Sequence, residues 1–233
     1  MTRRGIRLAL AAPLLLLNIA ATEAMDADNP TCPKYLGWST YPEMKFSVET
    51  IGGVRVLKAE GQIDEDVAAR LQDAIKANDP QEIWLRSPGG IARAGNEAGK
   101  VIRQSMIPTR IPAGWACFSA CNFMFMGGAI RFVDPGGLFV VHMFTHVADK
   151  QAVRSELSKG TDHAIGLIGD VEQDSAMLAS EDNDFLIRMG VSRKLLTEVM
   201  YQQKAVAGGA GDKSTRRCLT RDEAVKYNVA NAQ

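Results

Sequence analysis

The chain has 233 residues, of which 46% are hydrophobic and 23% charged; this suits one domain with a tail and excludes wholesale disorder. Lys plus Arg and Asp plus Glu both number 27, so the basic excess of a polyanion binder is missing and nucleic acid is excluded as the main ligand. Beyond residue 24 no segment is apolar for the ~20 residues that a spanning helix needs, and a soluble mature chain is expected.

The N-terminus reads as an export signal. Arg3, Arg4 and Arg7 precede an apolar run from Leu8 to Ile19, and Thr22 and Ala24 stand as in an A-x-A-like cleavage site. This is the pattern of a secretory signal peptide over residues 1–24. The alternative is a membrane anchor formed by residues 8–19. An exported protein, periplasmic or extracellular, meets an oxidising compartment in which disulfides persist. All four cysteines, Cys32, Cys117, Cys121 and Cys218, follow the cleavage point. Their pairing is open: Cys32–Cys218 would tie the two ends together, and Cys117–Cys121 would staple one local turn. Cys-x-x-x-Cys without a matching second pair is a poor zinc signature, and no metal or other cofactor is expected.

Residues 25–50 carry Pro30, Pro33 and Pro42 and little periodicity, which predicts an irregular leader before a domain over 51–233. Gly52-Gly53 reads as a turn and Val54 to Ala59 as a strand. Asp64 is placed to cap a helix whose apolar positions Val67, Leu71 and Ile75 recur every four residues, and Asp79-Pro80 ends it. Glu82 to Arg86 is a short strand, followed by the turn Ser87-Pro88-Gly89-Gly90. Ile91 to Gln104 reads as a helix whose small residues Ala94, Gly95, Ala98 and Gly99 suggest close packing against a sheet. Thr109 to Pro112 is a strand, and Ala116 to Met126 a buried helix that begins with a turn. Arg131-Phe132 and Leu138 to His142 are strands flanking the turn Asp134-Pro135-Gly136-Gly137. Strands alternating with helices imply βαβ units and a mainly parallel sheet. The second half is polar and helical over Lys150 to Met189, with Gly190 as its C-cap. Ser192 caps a further helix through Tyr201, Ala205 to Gly211 forms a loop, and Arg221 to Tyr227 a last helix.

Three features could carry chemistry. Backbone N–H groups at the Gly89-Gly90 turn suit an anion or an oxyanion. Ser119, in Cys117-Phe118-Ser119-Ala120-Cys121, sits at a strand-to-helix junction. There it is either a simple N-cap or a nucleophile whose following N–H, that of Ala120, completes an oxyanion hole. His142, at the end of an apolar strand, is either a core histidine or a base. His142 and His146 are four apart, but on a strand end they do not share a helical face. His163 reads as a surface residue.

Taken together these features resemble one family. Ile83-Trp84-Leu85-Arg86-Ser87-Pro88-Gly89-Gly90 looks like the strand and glycine turn of the Clp protease proteolytic subunit. Ser119 falls where that family places its nucleophile. Gly127 to Pro135 resembles its glycine, arginine and proline segment, and Val140-Val141-His142-Met143 its histidine motif, 23 residues after the serine. Leu219 to Tyr227 resembles its closing helix. The likeness spans roughly residues 54–142 and the tail from 212 onward.

The resemblance implies an α/β ClpP/crotonase-like fold, a superhelix of stacked ββα units with a mainly parallel sheet and a helical C-terminal part. It implies a serine peptidase acting on peptide or protein substrates. His142 would take the proton of Ser119, and N–H groups at Gly89 or Gly90 and at Ala120 would hold the oxyanion. Counting back from Glu223-Ala224 places Asp212 at the acid's position, with Asp182 and Asp184 as fallbacks. The alternative is a catalytically inactive ClpP-fold binding or assembly protein of the cell envelope. An exported chain has no ATP supply, so no ATP-driven unfoldase is expected as a partner, and a smaller homo-oligomer or a monomer replaces the family's stacked rings.

Overall fold

The computed structural model describes residues 24–144, 150–204 and 215–232. The expected leader over 25–50 gives way to a strand at its end. β1 (Lys45–Ile51) pairs antiparallel with β2 (Val54–Glu60). Gly52 and Gly53, at φ 58° and 85°, turn the chain between them, a two-residue connection that needs positive φ twice. α1 (Val67–Asn78) follows. Asp64 does not cap it. Its carboxylate instead accepts from the Met44 N–H at 3.1 Å and from the Arg70 guanidinium at 2.5 Å. A side chain three residues upstream of Val67 stands too far back to reach the first free N–H groups.

β3 (Glu82–Arg86), α2 (Ala92–Ser105) and β4 (Thr109–Ile111) come next. The stretch expected as one buried helix is split into β5 (Ala116–Phe118) and α3 (Cys121–Gly127). A strand and a helix buried on all sides have the same apolar composition, so periodicity alone does not separate them. β6 (Arg131–Val133) and β7 (Leu138–Val141) complete the central part. One sheet runs β1-β2-β3-β4-β6, parallel from β2 onward. A second holds β5 and β7 in parallel, with β8 (Arg217–Cys218) antiparallel on β7.

The small face of α2 packs on α3 rather than on a sheet. A methyl group at Gly95 would lie 2.5 Å from the Ala120 carbonyl oxygen, and one at Gly99 would lie 2.4 Å from that of Phe123. Only a bare backbone permits this approach. It brings α3, and the turn leading into it, down onto the core.

The helical second half is α4 (Lys150–Ser158) and α5 (Thr161–Arg188), broken at Gly160, whose φ is 112°. α4 buries nothing; α5 buries only Asp182, Phe185 and Leu186 near its C-terminal end. A π-helical turn (Leu195–Val199) and a 3₁₀ turn (Met200–Gln202) replace the regular helix expected through Tyr201. α6 (Arg221–Lys226) starts with a capping box. The Thr220 hydroxyl accepts from the Glu223 N–H, and the Glu223 carboxylate accepts from the Thr220 N–H. Cys32 is bonded to Cys218 and Cys117 to Cys121, so one bridge joins the two ends and the other closes a local turn.

Candidate active site

The second sheet brings the serine and the histidine together. In the parallel pairing of β5 with β7, Phe118 lies opposite Val140. Ser119 is the next residue on one strand and His142 the second on the other, so both side chains emerge at the same ends. The Ser119 Oγ and the His142 Nε2 are 2.7 Å apart, a hydrogen bond. His142 is buried to all but 8% and its ring packs on Phe118, centroid to centroid 4.6 Å. Contact with an aromatic ring limits the orientations open to the imidazole.

Ser119 has φ 57°. The left-handed region costs a non-glycine residue about 1–2 kcal/mol, and such outliers persist only where their surroundings fix them. Here the surroundings are well defined. β5 ends immediately before Ser119, α3 begins two residues after it, and Cys117–Cys121 spans it.

The glycine turn is stitched to this elbow. Ser87 forms a parallel bridge with Cys117: the Ser87 N–H donates to the Ala116 carbonyl at 3.0 Å, and the Phe118 N–H donates to the Ser87 carbonyl at 3.1 Å. A methyl group at Gly89 would fall 2.7 Å from both the Phe118 carbonyl oxygen and the Ser119 Cβ, so the turn touches the serine directly. The Gly89 N–H donates to the Ser87 hydroxyl at 3.0 Å. Among the described residues, the N–H groups of Gly90 and Ala120 donate to no acceptor.

Two features of the site carry no signal in the sequence. Asn122 donates through Nδ2 to the Val140 carbonyl at 2.8 Å, tying α3 to the histidine strand; an asparagine three residues after a serine belongs to no recognisable pattern. The packing of Phe118 on His142 follows from strand register, which a single sequence does not state. Asp212 and His146 lie outside the described residues. His163 is paired with Glu156 on the surface at 3.4 Å.

Asp182 and Asp184 form no hydrogen bond with His142. Asp184 pairs with Arg188 at 2.8 Å. Asp182 is buried, and burial first, then the charge of Glu181, pushes its carboxyl up to about 7. The nearby Tyr201 phenol is pushed up to about 12, by burial and then by Asp182. A carboxyl whose folded value lies above its unfolded value of 3.8 holds more protons folded than unfolded between the two. Its contribution to stability is therefore complete below about pH 4 and is lost as pH rises to about 7. Asp182→Asn is expected to raise the unfolding free energy at pH 8 by a few kcal/mol, because each tenfold difference in proton affinity between folded and unfolded chain is worth about 1.4 kcal/mol, and to leave it unchanged at pH 4. Urea unfolding at the two pH values reads the difference.

The described site thus comprises a seryl hydroxyl on a strained turn, an imidazole within hydrogen-bond reach, and a glycine turn in contact with both the serine and its strand. The fold that carries these residues is similar to that of a solved structure. A ClpP1 variant from Listeria monocytogenes superimposes with a TM-score of 0.51 at 14% identity, covering 76% of this chain and 88% of that one. The fold is ClpP-like. A variant of the 1510-N membrane-bound stomatin-specific protease aligns over 76% of this chain and 75% of its own, at 17% identity and a TM-score of 0.46. No protein-family model and no curated protein sequence matches the chain. The parallel pairing of β5 with β7 is what sets Ser119 and His142 just beyond neighbouring strand ends.

Proposed function

We propose that this chain is an exported ClpP-like serine peptidase in which Ser119 is the nucleophile and His142 the general base. The observation that carries the reading is the 2.7 Å contact between Ser119 Oγ and His142 Nε2. A seryl hydroxyl is a weak nucleophile at neutral pH, and an adjacent base that removes its proton during attack is what activates it. His142 takes that proton as Oγ bonds to the substrate carbonyl carbon, and returns it to the leaving amine as the peptide bond breaks. Water then repeats the sequence on the acyl-enzyme, releasing the acid and restoring Ser119.

The tetrahedral intermediate carries an oxyanion that needs preorganised donors. The N–H of Ala120, immediately after the nucleophile, is one. The glycine turn supplies the other, from Gly90 or from Gly89, whose N–H then exchanges the Ser87 hydroxyl for the substrate oxygen. Asp212 is the proposed orienting acid for His142. The repeating ββα superhelix of the ClpP/crotonase type is the proposed form of the α/β architecture. Two disulfides support a life in an oxidising compartment, consistent with residues 1–24 acting as a cleaved export signal. A peptide or protein is the proposed substrate, met without an ATP-driven unfoldase.

An activated ester tests the reading independently of substrate sequence. With p-nitrophenyl acetate, the folded chain is expected to accumulate an acetyl group on Ser119, seen as one acetyl added to the intact mass, and Ser119→Ala to accumulate none. Equal acetylation of wild type and Ser119→Ala would overturn the assignment.

A further inference from the structure

The two disulfides differ in what they can do. Cys32–Cys218 closes 186 residues, whereas Cys117–Cys121 closes four. Restriction of the unfolded chain grows with the length of loop closed, so the short bridge does least for global stability. Its constraint falls on the native turn of residues 117–121, and the middle residue of that turn is Ser119, at φ 57°.

Cys117 is also where the site's other parts meet. It pairs with Phe139 of the histidine strand on one side and bridges Ser87 of the glycine turn on the other. Cys121 opens α3, and the next residue, Asn122, holds that helix to Val140. The sulfur–sulfur bond therefore joins the strand that registers with His142 to the helix whose start carries the Ala120 N–H. Both half-cystines are fully buried at 0% exposure, so the bond is shielded from dissolved thiols and acts as a permanent part of the fold.

We infer that Cys117 and Cys121 are positioning residues: their bridge holds the Ser119 hydroxyl on His142 and sets the rate at which Ser119 reacts. This rests on the peptidase reading above. Without the bridge the left-handed turn is free to relax toward ordinary backbone angles, which moves Oγ away from Nε2 while the surrounding core stays packed. A misplacement of about 1 Å in a reacting group can cost about 100-fold in rate.

The test compares Cys117→Ala/Cys121→Ala with Cys32→Ala/Cys218→Ala, using a fluorophosphonate probe under conditions where both are folded by circular dichroism. Loss of the short bridge is expected to lower the labelling rate constant at least about tenfold, while the end-point stays at one label per chain. Loss of the long bridge is expected to lower the thermal midpoint more, yet leave the rate constant of the folded protein within about twofold. The split between rate and end-point separates positioning from partial unfolding, which lowers the end-point instead. If the alanine pair does not fold, Cys117→Val/Cys121→Ala refills the volume and is read in the same way. A short-bridge variant that labels at the wild-type rate, or equal rate losses for both bridges, would overturn the inference.

If oxidised wild type does not label at all, the peptidase reading fails on its own account. The bridge is then judged by the ¹⁵N resonance of His142 Nε2, which reports the hydrogen bond to Ser119 without any reaction. Displacement in the short-bridge variant alone supports the positioning role; an unmoved resonance contradicts it.

Discussion

Replacing His142 with alanine is expected to slow the acylation of Ser119 by about 10³–10⁶-fold. The size of the effect follows from the chemistry of the hydroxyl, which must lose its proton as the new bond forms. The only imidazole in hydrogen-bond contact with Oγ among the described residues is that of His142, at 2.7 Å. Water can replace it as proton acceptor, but far less well, and the oxyanion donors then supply the remaining catalysis. The substitution also empties a buried site beside Phe118, so some stability is lost with the activity. Rates are therefore compared at a temperature where both proteins are folded. His142→Gln fills most of the space without providing a base, and it should be as slow as alanine while unfolding closer to wild type. A glutamine variant that keeps more than about a tenth of the wild-type rate would show that proton removal is not the role of this residue.

Arg131→Leu is expected to destabilise the protein by about 2–5 kcal/mol, because main-chain carbonyls lose the donors that satisfy them. Arg131 is 1% exposed and forms no salt bridge to a described carboxylate. Main-chain carbonyls satisfy it instead: Val229 at 2.8 Å, Gly128 at 2.8 Å and Asn228 at 2.7 Å. Burial, and then the charge of Arg103, hold its guanidinium down to about 10, so it remains cationic at neutral pH. The fork joins the end of α3 to the segment that follows α6. Leucine fills the space but leaves the Val229 and Asn228 carbonyls without donors and the Gly128 carbonyl with Arg103 alone, each lost bond to a buried carbonyl costing about 1–3 kcal/mol. Lysine is not a rescue, because one ammonium cannot present the planar set of donors that three separated oxygens require. Guanidinium unfolding at constant m-value measures the loss. A decrease under about 1 kcal/mol would show that solvent or a shifted backbone satisfies those carbonyls.

The elements most legible in the sequence were those with their own punctuation. Glu82 to Arg86 is bounded by Pro80 and by the Ser87–Gly90 turn, and its strand has the expected limits. Gly52-Gly53 announces a hairpin, although the strand before it was hidden behind a proline-rich leader. α6 carries its capping box in plain view. The meeting of Ser119 and His142 was legible only through the resemblance of their motifs, in order and spacing, to the Clp protease subunit; the 2.7 Å contact between them is what the fold adds. What was not legible depends on contacts between distant segments. The division of Ala116–Met126 into strand and helix turns on the φ of one serine. The destination of the small face of α2 depends on which backbone comes near enough to need it. The structural weight of Arg131 becomes visible only when Asn228 and Val229 arrive from nearly a hundred positions away. Asp182 reads in the sequence as one of many acids on a polar helix; its burial is decided by how the end of α5 docks.

The proposed reactivity of Ser119 comes from where its hydroxyl is held, 2.7 Å from His142. Mapping the site of a fluorophosphonate adduct by peptide mass spectrometry, after reduction of both disulfides, tests this most directly. The predicted result is one adduct per folded chain, on the peptide containing Ser119, and none after prior unfolding. An adduct on any other residue, or none on folded chain, would contradict it.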